Sequence, residues 1–305
     1  MITLKYSPTY GTVQHQLLGH LEKERKLLLE ATLDPKHLAW WKSSVANESS
    51  KWIDIRPTGP AFVISNENFQ TTLRYRAFLR ALKHVDGLRC SCSSHPVLDP
   101  LGHHVSTGCG AGGYRIGTHN GVVRTLDGIL HYCGHWTKLE ERGVFHAADP
   151  DNNKRPDITV FNPPTGNAPR LLIDVSVTNP LVGFDYRVNH PVGYQASKVF
   201  SAKMTKFSAD AENQRFSFLP FIFESTGYLH PEACKFLRLL AANASQTKRI
   251  PANRLYNFFV KRLLKSLHDG VAEAMVKRLG EVSSHCFAMA YDSTYSMEGI
   301  MESEE

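Results

Sequence analysis

Two short apolar runs, each carrying one aspartate, lie within residues 155–180, RPDITVFNPPTGNAPRLLIDVSVTNP. The second, LLIDVSV, reads as a buried strand, yet Asp174 stands in its middle. An ionised carboxylate buried without a partner costs several kcal/mol or more. A strand that keeps one therefore needs something to neutralise it. Asp157 opens the first run, so adjacent strands would bring two carboxylates together. Such an oxygen-rich pair suits Mg²⁺, which polarises a phosphoryl group and activates water. A lysine that orients the water and stabilises developing charge would complete the site. The plainer reading puts Asp157 at a strand edge or turn and makes Asp174 a satisfied buried carboxylate.

The flanking sequence tells what these strands belong to. HNGVVRTLDGILHYCGHW, from 119, carries Val122, Val123, Leu126, Ile129 and Leu130 at helical period. TKLEERGVF, PDITVFN and RLLIDVSVT follow as strands, then a helix around 193–212, then the strand RFSFLPFIFEST. Helix, strand, strand, strand, helix, strand describes an α/β domain with a mixed sheet. Before it, 13–48 reads as polar helix. SNENFQTTLRYRAFLRALKHV reads as a helix capped by Ser65 or Asn66, with Phe69, Leu73, Phe78 and Leu82 on its apolar face. After it come two helices. The second places Leu255, Phe259, Leu263 and Leu267 on one face and Arg254, Lys261 and Lys265 on another.

Residues 88–115, LRCSCSSHPVLDPLGHHVSTGCGAGGYR, show little periodicity and need another source of order. Cys90, Cys92, His104 and Cys109 offer three thiolates and an imidazole within 20 residues, the usual ligands of a tetrahedral structural zinc. His95 or His103 can replace His104 in this set, and free thiols beside incidental histidines are the plain alternative. Cys133, Cys234 and Cys286 lie in helical contexts and read as packing residues. Six cysteines in 305 residues are too few for a disulfide scaffold. The start, MITLKYSPTYGTVQHQ, lacks a basic stretch followed by an apolar one, so a secretory signal is not expected and the cytosol or nucleus is. No run of about 18 apolar residues exists to span a membrane.

Taken in order, CSC…DPLGHHVSTGC, RIGTHN opening a helix, PD…D, and K-x-x-K-F on a helix resemble one family. It is the restriction-like, PD-(D/E)xK endonuclease domain of early-branching, site-specific non-LTR retrotransposons. LLIDVSVTNP followed by FLPFIFESTG also resembles that domain, and the likeness covers about residues 60–235. It implies nicking of target DNA, with Asp157 and Asp174 holding Mg²⁺ and a Cys-Cys-His-Cys zinc knuckle upstream. The lysine that normally stands two residues after the second acid is Ser176 here. Some members carry it on the following helix, where Lys203 and Lys206 share a face and Lys198 lies about 140° from Lys203. His119 and Asn120 match the family's His-Asn pair, implied to lie near the site. The basic residue before that pair is Thr118, with Arg115 as a substitute. Otherwise His119 and Asn120 are an ordinary helix start capped by Asn120. Glu140 or Glu141 would add an acidic ligand or form a solvated charge pair.

The expected organisation is an N-terminal helical region (1–87), a zinc knuckle (88–114), a restriction-endonuclease-like α/β core (115–228), basic C-terminal helices (229–296) and an acidic tail (297–305). Residues 235–278 hold ten Lys/Arg against two acids within a chain of net charge +6. They can track DNA phosphates or simply coat a packed helix, and LRYRAF (Arg74, Tyr75, Arg76) hints at aromatic interleaving. DNA is the expected partner, with RNA or a separately supplied reverse transcriptase beside it. No F/Y-x-D-D polymerase motif occurs in the chain. The rival readings are a catalytically silent zinc-containing nucleic-acid-binding module, marked by Ser176 and Thr118, and an inert retroelement relic.

Overall fold

The computed structural model describes residues 10–301 except 58, 60–61, 83–84, 111–112, 146–153, 165, 167, 184 and 186–189. For 10–17, 47, 107 and 282–301 it describes the backbone alone. Three helices lead the chain, α1 (Tyr10–Thr32), α2 (Pro35–Val45) and α3 (Asn66–Arg76). Helix α4 (Tyr114–Tyr132) precedes strands β1 (Trp136–Leu139), β2 (Ile158–Phe161) and β3 (Arg170–Thr178). Helix α5 (Tyr194–Asn213) crosses over to β4 (Ser217–Glu224), and α6 (Pro231–Lys248) and α7 (Ala252–Met301) follow.

The expected order of helix, three strands, helix, strand is present, and the sheet is mixed. Its strands lie in the order β1-β2-β3-β4. β1 pairs β2 and β2 pairs β3 antiparallel, while β3 pairs β4 parallel. Period-two alternation assigns the faces of β3. Leu171, Ile173 and Val175 enter the main core with Phe221 and Phe223 of β4. Leu172, on the other face, packs with Phe145, Phe207 and Ala211 beneath α5. Asp174 shares that second face, so a helix covers it.

The predicted apolar stripes of α4 and α7 are buried: Val122, Val123, Leu126, Ile129 and Leu130, and Leu255, Phe259, Leu263 and Leu267. The two helices press together closely enough that a Cβ on Gly270 would sit 2.9 Å from the Thr118 Cα. One buried cluster joins Trp40, Trp52 and Tyr75 to Cys90, Leu126, Phe221 and Phe259, running across the boundaries expected at 87, 114 and 228. The acidic tail, 297–305, and Cys286 lie outside the described side chains.

Two N-terminal expectations are corrected. The polar helix of 13–48 divides at Asp34, whose carboxylate accepts from the Lys36 and His37 amides at 2.9 and 3.0 Å, with Pro35 opening α2. The helix from Ser65 stops at Arg76 instead of reaching Leu82. Phe78 takes a left-handed φ of 56° and the Leu79 amide bonds back to the Arg74 carbonyl, a terminating turn usually signalled by glycine. Ser65 does cap it. Its buried face is Thr71, Thr72, Tyr75 and Arg76, while Phe69 and Leu73 stay exposed.

Candidate functional site

The Cys/His segment is ordered by local hydrogen bonds. Arg89 bridges to Val97, and the Cys90 amide bonds to the Pro96 carbonyl, making a small hairpin that carries Cys90 and Cys92. Both oxygens of Asp99 accept backbone amides, from His103 and His104 at 2.9 Å each, and so start the single π-turn His104–Gly108. The ligand atoms of Cys90, Cys92, His104 and Cys109 all lie within 4.8 Å of one another. Cys90 Sγ is 3.5 Å from Cys109 Sγ, and Cys92 Sγ is 3.5 Å from His104 Nε2. Zn–S bonds of about 2.3 Å and Zn–N bonds of about 2.0 Å at a tetrahedral angle separate ligand atoms by about 3.5–3.8 Å. This group can hold a metal such as zinc. The alternatives to His104 fall away: His95 Nδ1 is turned to the Cys90 carbonyl at 3.0 Å, and His103 packs edge-on against Trp40.

A residue that sequence reading missed completes this centre. Arg278, on α7 and 3 % exposed, places Nη2 3.1 Å from Cys90 Sγ and 2.7 Å from Ser91 Oγ. Its Nη1 also pairs with Glu281 Oε2 at 2.7 Å; with a divalent metal bound, three thiolates and a neutral imidazole would carry one negative charge, beside which the guanidinium would stand. In sequence Arg278 is one of ten cations on a basic stretch, and nothing in its spacing separates it from the others.

The aspartates meet as the strand pairing requires. Ile158 lies opposite Ile173 in the β2–β3 register, and one residue further on Asp157 faces Asp174. Asp157 Oδ2 accepts from the Val175 amide at 2.6 Å and lies 3.3 Å from His119 Nε2. The same nitrogen is 3.2 Å from the Val175 carbonyl, and His119 Nδ1 is 3.1 Å from Asn120 Oδ1. Acceptors on both ring nitrogens call for the doubly protonated ring. The Asp157 hydrogen bond accordingly holds the His119 imidazole up at about 9. Across the sheet face, Lys203 of α5 donates to Asp174 Oδ2. Burial pushes the Asp174 carboxyl up; Lys203 opposes that shift and the Asp157 charge adds to it.

Asp157, Asp174, Lys203, His119 and Asn120 thus come together. Lys206 does not: it is exposed, with its ammonium 5.1 Å from the Phe207 ring centroid. Lys203 and Lys206 diverge because only one of the two can face the sheet. Asn120 caps nothing, since α4 already begins at Tyr114 behind Gly113. Thr118 is 3 % exposed, bonded to the Tyr114 carbonyl and packed on Gly270, while Arg115 is exposed. Glu140 pairs with Arg155, and Glu141 with Lys138 and Arg170, which is the charge-pair reading of both. Tyr75 and Arg76 are core residues, so the interleaving hinted at in LRYRAF is absent from that helix. Cys234 is buried and Cys133 partly so, both packing against the main core. Among the described residues no helix is long and apolar enough to cross a membrane.

Compared with models of known protein families and with curated proteins, the chain matches none.

Proposed function

We propose that this chain is a metal-dependent DNA endonuclease with a restriction-like core and a structural zinc knuckle, related to the nicking domain of non-LTR retrotransposons. The observation that carries the reading is the convergence of Asp157, immediately before β2, with Asp174 of β3 and Lys203 of the crossover helix. The element order around them supports it, as does His119 reaching Asp157 from α4. A lysine on α5 serves where Ser176 stands in the strand.

The carboxylates of Asp157 and Asp174 would supply the hard oxygen donors that Mg²⁺ takes, on displacing the hydrogen bonds they now make with His119 and Lys203. Bound there, the ion would supply Lewis acidity toward a phosphodiester and an activated water. Lys203 brings a positive charge to the oxygens on which negative charge develops. His119, held cationic by Asp157, orients that carboxylate and adds positive potential toward a DNA phosphate. The partly buried floor of the sheet limits water around these groups.

A second reading has its own observation. Two carboxylates face two cations, so the four side chains are neutral together without a metal. That arrangement equally suits a nucleic-acid-binding module without catalysis. Plasmid nicking with Mg²⁺ separates the two. Nicking by the wild-type chain that is lost in folded, zinc-loaded Asp174→Ala and Lys203→Ala proteins is the result expected of the enzyme. Absence of nicking by folded wild type on varied DNA, or equal nicking by the variants, moves the assignment to the binding module.

A further inference from the structure

On the far side of α4 from His119, three rings stand in a row at the surface. Phe62 and Phe258 have centroids 5.5 Å apart, and Tyr132 lies 6.4 Å from Phe258. Phe258 and Tyr132 are each 38 % exposed. Cations are interleaved with them. Arg262 lies 5.9 Å from the Phe258 centroid, and Lys248 lies 4.8 Å from that of Tyr132. Phe62 and Phe258 open into a cleft of about 760 Å³ between the Ile53–Arg56 stretch and α7, and Arg56, Arg254 and Lys261 line it. Lys261 is tied to the Asp54 carbonyl at 2.9 Å. Arg56 and Arg254 are exposed, and neither has an ion-pair or side-chain hydrogen-bond partner among the described residues.

Arg254, Phe258, Lys261 and Lys265 are spaced by four, three and four residues, so they form one stripe of α7. A stripe of that kind is usually a solvated outer face. Here it borders a concave cleft and carries the exposed ring of Phe258 between two cations, which a solvated face does not need. Unpaired guanidiniums select phosphate oxygens, and exposed rings separated by cations select flat, unstacked bases between phosphates. An acidic peptide would use the cations and leave the rings unused. A duplex keeps its bases stacked inside and would do the same.

We propose that this cleft and ring row bind a single-stranded nucleic acid, with bases stacking on Phe258 and Tyr132 and phosphates on Arg56, Arg254 and Arg262. Tyr132 lies thirteen residues beyond His119 on α4, about 20 Å along the helix at 1.5 Å per residue. The surface is therefore separate from the aspartate pair and holds a strand whether or not that pair cleaves one.

The test is anisotropy of a short fluorescein-labelled oligo(dT) with the full chain, without Mg²⁺, over a salt series. Wild type is expected to bind with a log–log salt slope of about −0.7 for each phosphate engaged. Arg254→Ala flattens the slope by about one such increment. Phe258→Ala weakens binding about tenfold or more, while Phe258→Tyr, which keeps the ring, restores it. The assay contains no Mg²⁺ and reads binding alone, so failure here is distinguishable from failure of the nuclease reading, which plasmid nicking scores. If Phe258→Ala proves unfolded by circular dichroism, Phe258→Leu replaces it, apolar but without a ring. A parallel oligo(U) arm identifies RNA as the source if it binds tighter than oligo(dT). Oligo-glutamate binding as well as the strand, or affinity indifferent to both Phe258→Leu and Arg254→Ala, overturns the proposal.

Discussion

Lys203 of α5 donates its ammonium to the carboxylate of Asp174, which occupies the middle of the otherwise apolar strand β3. The pair is mostly shielded, with 23 % and 16 % of the two side chains exposed. It explains how LLIDVSV can be a central strand and still carry a charge. Removing either partner leaves a desolvated charge opposite an apolar group. Lys203→Met is expected to destabilise the chain by about 2 kcal/mol, less than the 3–5 kcal/mol of a fully buried pair because some water remains. Combining it with Asp174→Asn recovers most of that loss. Urea unfolding of the two single variants and the double variant reads the coupling directly.

The Cys-Cys-His-Cys group is buried in the main core and meets the long helix α7 through Arg278. Chelation is expected to remove about one zinc per chain and to open residues 88–110 to proteolysis, because binding and ordering share one free energy. Cys109→Ser is expected to prevent metal uptake. Arg278→Gln keeps a hydrogen-bond donor but loses the positive charge, and is expected to weaken zinc roughly tenfold, the lower end for outer-shell partners. Competition with a chromophoric chelator measures each case.

The His119 imidazole is held up at about 9 by Asp157, against about 6.5 in an unfolded chain. The folded state therefore binds its proton more tightly. The stabilisation this gives is complete below pH 6.5 and is lost as pH rises through 9. At about 1.36 kcal/mol per pKa unit it amounts to roughly 3 kcal/mol. Without added Mg²⁺, the wild-type melting temperature is expected to fall across that window. His119→Gln, which keeps hydrogen bonding but cannot charge, is expected to give a flatter profile.

Gly270 and Gly128 separate packing from propensity. A Cβ on Gly270 would meet the Thr118 backbone at 2.9 Å, whereas one on Gly128 of α4 meets nothing within 4 Å. Gly270→Ala is expected to cost about 1–3 kcal/mol by forcing α4 and α7 apart. Gly128→Ala is expected to gain up to about 1 kcal/mol from helix propensity. Thermal melts of the two variants should move in opposite directions.

The elements that one stretch of chain determines were readable in it. The β2, β3 and β4 runs, the apolar stripes of α4 and α7, and the Cys-Cys-His-Cys spacing follow from periods and distances within about 20 residues. So do the Ser65 cap and the charge inside LLIDVSV that demanded a partner. Tertiary contacts decided which partner it has. Two lysines three apart are equivalent on a bare helix, and only the sheet beneath α5 turns Lys203 inward and leaves Lys206 outside. Arg278 lies 188 residues from Cys90, and Thr118 faces Gly270 rather than a ligand. Phe62, Tyr132 and Phe258 come from three separate segments to make one row. Their roles come from the backbone folding distant segments together, and no local period records that.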